Sequence, residues 1–194
     1  PPRPKLLRVL FVAPYPILPP IHGGGVFMYQ TLSELAKKCE LHLIVLLHYP
    51  HELAANEPLR RICASVEFLI KAPGSPRASA SILPRAVREF AIDDLAWLIH
   101  RQILKHSIDV VQLEYTPLAQ YAGNYRRLVC ALFEHDVYFQ SIARGWPHLV
   151  GAVAKVKAAV EYLRALYFET RVLRKLDLVE TCSQENLAYL LSFL

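Results

Sequence analysis

Three features of the 194 residues predict an α/β, Rossmann-like three-layer domain with a mostly parallel sheet. Short apolar runs alternate with longer stretches of helical periodicity from end to end, which is the pattern of successive βαβ units. The runs are continuous in Val, Ile and Leu, as strands covered on both faces should be. With 54% hydrophobic and 20% charged residues, the chain carries enough apolar surface for a substantial core. Its length fits a single domain over residues 1–194.

In chain order, the runs predicted as strands lie at 9–13, 41–47, 66–70, 110–113, 128–133 and 178–181. Between the first two, Met28, Leu32, Leu35, Ala36 and Cys39 recur at three-to-four spacing, so one helix face should pack on the sheet. From Pro84, which suits a first helical turn, a second helix is predicted through Val87, Phe90, Leu95, Leu98, Ile99 and Ile103. A third carries one apolar stripe through Val153, Val156, Val160, Leu163, Leu166, Tyr167 and Leu173, with Lys155, Lys157, Glu161, Arg164 and Arg171 on other faces. Its basic side suits a peripheral contact with lipid headgroups, and an ordinary solvated face accounts for the same pattern. Residues 72–81, rich in Pro, Gly and Ser, predict a surface loop within one sheet rather than a linker.

The net charge of +5 and a pI near 9.1 favour anionic partners without naming one. Basic residues are scattered in pairs, whereas nucleic-acid modules concentrate them on one face, so no nucleic-acid partner is expected. Cys39, Cys63, Cys130 and Cys182 are far apart with no close pair, which predicts a reducing, cytoplasmic setting and no disulfide framework. No apolar stretch reaches the roughly 18 to 20 residues of a membrane span, so any membrane contact is expected to be peripheral, on the inner face.

The first apolar run leads through a Pro14-Tyr15-Pro16 turn to Gly23-Gly24-Gly25 and then a helix. Bare glycine amides at a helix N-terminus let an anion such as a diphosphate approach closely, and a tight turn explains the same glycines equally well. The spacing is neither the dinucleotide fingerprint nor a P-loop, which argues against NAD and against a P-loop nucleotidase. His135, after the fifth run, belongs at the carboxyl edge of the sheet, where open α/β folds bind ligands. A structural histidine bonded to a loop carbonyl is the alternative. Glu114 and Tyr115 end the neighbouring run and should reach the same cleft. Asp93-Asp94 falls inside a helical pattern with the wrong spacing for a metal pair, and the remaining histidines form no ligand set, so no metal is expected.

The strand, Pro-Tyr-Pro turn, glycine cluster and helix resemble the opening of the family-four glycosyltransferases of the GT-B fold. Ile108-Asp-Val-Val-Gln-Leu-Glu-Tyr115, Phe133-Glu-His-Asp136 and Leu176-Asp-Leu-Val-Glu-Thr-Cys-Ser183 resemble, in order, later strands of that family's N-terminal domain. The resemblance implies an acceptor-side half of an enzyme that moves a sugar from a nucleotide-diphosphate sugar to a carbohydrate or lipid-linked acceptor, as in polysaccharide biosynthesis. It also implies retained anomeric configuration and no metal or other cofactor. It places Gly23, Gly24 and Gly25 beside the donor diphosphate and His135 facing the reacting sugar. Tyr15, His22, Glu114, Tyr115 and Asp136 become candidate acceptor contacts. The donor-binding C-terminal domain of such enzymes is not found in these residues, so the isolated domain is expected to be inactive. A stand-alone, non-catalytic Rossmann-like binding module is the alternative.

Overall fold

The computed structural model describes residues 6–71, 82–123 and 127–194; the loop expected at 72–81 lies outside them. Six strands form one all-parallel sheet: β1 (Arg8–Ala13), β2 (Glu40–Leu47), β3 (Ser65–Ile70), β4 (Val110–Glu114), β5 (Val129–Glu134) and β6 (Leu178–Thr181). Their spatial order is β3-β2-β1-β4-β5-β6, so the order reverses between β1 and β4. In open α/β sheets, that reversal opens a crevice at the carboxyl ends of the strands.

Alternation along the strands feeds two cores. Phe11, Ala13, Leu43 and Val45 pack under α1 (Gly23–Leu35), with α2 (Glu52–Asn56) and the 3₁₀ turn Glu57–Arg61 beside it. Leu10, Val12, Ile44, Val111 and Leu132 point to the other layer. That layer comprises α4 (Asp93–His106), α5 (Tyr138–Gly145), α6 (Ala152–Leu173) and α7 (Gln184–Leu191), preceded by the short α3 (Arg85–Glu89).

Asp109 and Asp177 brace the amino edge of the sheet. Asp109 accepts from the Arg8 amide at 2.9 Å and pairs with its guanidinium at 3.1 Å. Asp177 accepts from the Cys130 amide at 2.8 Å. Each carboxylate takes a strand-end N–H that the ladder leaves without a partner.

Two helix expectations need correction. The helix expected from Pro84 is interrupted at Phe90–Ile92, where the Tyr121 hydroxyl donates its one proton to the Phe90 carbonyl, lies 3.1 Å from the Ile92 carbonyl, and accepts from the Ile92 amide at 2.8 Å. Asp93 and Asp94 therefore open α4, where carboxylates favour the positive end of the helix dipole. The single stripe of the third helix is in fact two. Ala165, Val172 and Leu173 face the core, whereas Val153, Val156, Val160, Leu163 and Tyr167 are exposed.

Asn56 is fully buried and holds the Pro-rich loop in place. Its Oδ1 accepts from the Ile17 and Leu18 amides at 3.0 Å, and its Nδ2 donates to the Leu18 and Glu52 carbonyls at 3.1 and 3.0 Å. Asn56→Ala should cost about 2 kcal/mol of unfolding free energy, because it orphans buried amides; urea denaturation would measure this.

Candidate functional site

The carboxyl ends of β1, β4 and β5 bring most of the expected residues together. Glu114, fully buried at the end of β4, accepts from Gln112 Nε2 at 3.2 Å through Oε1 and meets His135 Nε2 at 3.0 Å through Oε2. Burial pushes the Glu114 carboxyl above its ordinary range, while the hydrogen bonds from His135 and Gln112 pull it back. One proton in the Glu114–His135 bond fixes the role of the other ring nitrogen. With Glu114 ionised, Nε2 carries the proton and Nδ1 is an acceptor; with Glu114 neutral, Nδ1 carries the proton and donates. Among the described residues Nδ1 has no hydrogen-bond partner, so either role is open to a ligand.

The imidazole is clamped edge-on by Phe133 and Phe27, at ring-centroid distances of 4.8 and 5.7 Å, and those two rings stack at 4.2 Å. Phe27 belongs to α1, two residues after the triple glycine, so the glycine turn and His135 share one rim of the sheet.

The three glycines differ. A Cβ on Gly24 would lie 2.1 Å from the Tyr15 hydroxyl, so that phenol occupies the space a side chain would need. Gly25 is buried, and its amide donates to His22 Nδ1 at 3.1 Å. Gly23 is open. His22 is thus the N-cap of α1, and Gly25 contributes close packing rather than a free donor. Gly23 and Gly24 open α1, where first-turn amides have no intrahelical partner. Tyr15 stands edge-on to His22 at 4.9 Å, and its phenol is raised by burial and by the nearby charges of Glu114 and Tyr115.

Tyr115 and Asp136 sit on the far flank. Tyr115 has φ +86°, a left-handed backbone unusual for a non-glycine residue and commonest where structure serves function. Its phenol is raised by burial and by Asp136, Glu89 and Glu169, and Asp136 is exposed. Beneath them lies a buried acid pair. Glu134 accepts from Thr116 Oγ1 at 3.2 Å and Glu169 from the Phe139 amide at 3.2 Å, while the second oxygen of each has no donor. Burial pushes Glu134 up to about 7; burial and the neighbouring Glu134 hold Glu169 well above the ordinary range. A proton kept between the two carboxyls answers both orphaned oxygens.

Beside the glycine turn, a cleft of about 450 Å³ is lined by Tyr15, Leu18, Ile21, His22, His48, His51 and Glu52, among others. Tyr15 and His22 therefore face both this cleft and the glycine turn. Sequence reasoning overlooked His48, His51 and Glu52, which come from the segment after β2 and show no motif. It also overlooked Gln112, although spacing by two from Glu114 puts both on one strand face. Among the described residues no cluster of three metal-ligating side chains occurs, and no helix is long and apolar enough to cross a membrane.

No protein-family model and no curated protein matches the sequence. Solved structures to which the fold is similar include Clostridium botulinum phage c-st TubZ, at TM-score 0.45 and 11% identity over 90% of this chain and 51% of that one. A form of that protein with its C-terminal tail truncated aligns at TM-score 0.41 and 12% identity, over 84% of this chain and 48% of the other. The chain spans about half the length of these two proteins, and the likeness extends to the general α/β build alone.

Proposed function

We propose that the chain is the acceptor-side half of a glycosyltransferase that moves a sugar from a nucleotide-diphosphate sugar to a carbohydrate or lipid-linked acceptor. The observation that carries this reading is the buried Glu114 holding His135 on the same rim as the glycine turn, at the point where strand order reverses. In this reading the donor diphosphate approaches the Gly23 and Gly24 amides at the start of α1. Those dipoles meet the charge that grows as the bond from sugar carbon to phosphate oxygen breaks, without a metal. His135 Nδ1 hydrogen-bonds the reacting sugar, and the neighbouring cleft takes the acceptor, whose oxygen forms the new bond to the sugar carbon. The remaining donor contacts come from a C-terminal domain, and the configuration is retained, as in the family the sequence resembles. A cytoplasmic location, where nucleotide sugars are made, belongs to the same reading.

The test is release of nucleotide diphosphate from uridine, guanosine and adenosine diphosphate hexoses by the protein of the whole gene, with and without glycan acceptors. Acceptor-dependent release is expected, and Gly24→Asp should weaken apparent donor affinity about tenfold by placing bulk and negative charge at the approach. Adding Tyr15→Phe removes the clashing hydroxyl and leaves the charge, so the defect should persist. Donors left intact under every condition, or a Gly24→Asp protein equal to wild type, would overturn the proposal.

A further inference from the structure

Helix α6 is apolar on two opposite faces. At 100° per residue, Ala165, Glu169, Val172 and Leu173 cluster on one side and are buried, whereas Val153, Val156, Val160, Leu163 and Tyr167 form a straight row on the other. This outer row spans about 20 Å of helix. Val153, Val156 and Leu163 are 69, 62 and 62% exposed, and Val150, just before the helix, is 91% exposed. A helix that needed only to cover the sheet would be polar there.

Along one flank of the row, Lys157, Arg164 and Arg171 recur every seventh residue and so stand one above another, two turns apart. Arg171 also bonds the Tyr167 hydroxyl, and Arg164 lies 3.9 Å from Glu161. The other acid of the helix, Glu169, is buried on the core side. A second copy of the chain would bring cation rows together without an acidic row to receive them. A flat anionic surface suits both features.

We infer that the outer face of α6, with the exposed Val150 just before it, docks the protein in the plane of a membrane containing anionic lipid. The valine row enters the acyl boundary and the cation row meets headgroup phosphates. This does not depend on the sugar-transfer reading, and its test uses no sugar.

The full chain should co-sediment with vesicles of equal parts phosphatidylcholine and phosphatidylglycerol, weakly with phosphatidylcholine alone, and less in high salt. Val153→Ser with Val156→Ser and Val160→Ser should lower the partition coefficient about tenfold. Lys157→Glu with Arg171→Glu should do so roughly tenfold or more. Circular dichroism checks folding, and if the valine variant misfolds the charge variant decides. Equal binding by wild type and variants, or no binding to anionic vesicles, would overturn the inference. So would a dimer in sedimentation velocity that the valine variant dissolves without any vesicle binding, which assigns the face to a second copy.

Discussion

In the sugar transfer we propose, replacing His135 with alanine should slow turnover about a hundredfold or more, with a much smaller effect on the apparent affinity for donor. The imidazole is fixed from three directions, by the Glu114 carboxyl at 3.0 Å and by the Phe133 and Phe27 rings, so its second nitrogen is delivered without rotational freedom. In that proposed reaction Glu114 acts through His135 as a positioning residue. Glu114→Gln keeps the shape and a hydrogen-bond partner but removes the ionisable group that sets which ring nitrogen carries the proton. It should cost about tenfold in rate and alter the pH profile, a change that a purely structural role would not produce. A His135→Ala protein with wild-type turnover would remove this residue from the proposed chemistry.

Glu134→Gln should make the protein more stable above neutral pH. Glu134 is fully buried and holds its proton up to about 7, against an ordinary value of 4.5. Between those limits the folded chain keeps a proton that the unfolded chain has released, so stability falls as pH rises through the window and levels off above it. The loss amounts to about 3 kcal/mol. A glutamine stays neutral throughout, still accepts from Thr116, and offers Glu169 the donor its free oxygen lacks. Urea midpoints at about pH 5 and about pH 8 should therefore fall further in wild type than in the variant, where Glu169 alone of the pair still titrates, with the variant ahead at the higher pH. Equal destabilisation at both values would show that the pair is not titrating as described.

Much of this architecture was legible in the chain because buried strands are local signals: each of the six apolar runs lies within a residue or two of an observed strand. Helix detail was less legible. The break at Phe90–Ile92 is made by Tyr121, about thirty residues away, and no local pattern announces it. In α6, periodicity merged residues of two opposite faces into one stripe, since spacings of three and four continue across both.

At the site, Glu114, Tyr15, Gly24 and His135 gather where strand-end positions predicted. The glycine count did not show that the Gly25 amide is taken by His22. The pairing of Glu134 with Glu169 joins a strand to a helix over a separation in sequence that composition cannot bridge.

Neighbours in sequence, Glu134 and His135 leave β5 toward opposite layers, one into the acid pair beside α6 and the other into the aromatic clamp under α1. A slip of one residue at this strand end would set His135 against Glu169 and bring Asp136, another carboxylate, against Glu114. Both halves of the domain therefore lock the register at the same peptide, and errors in either layer report on the other.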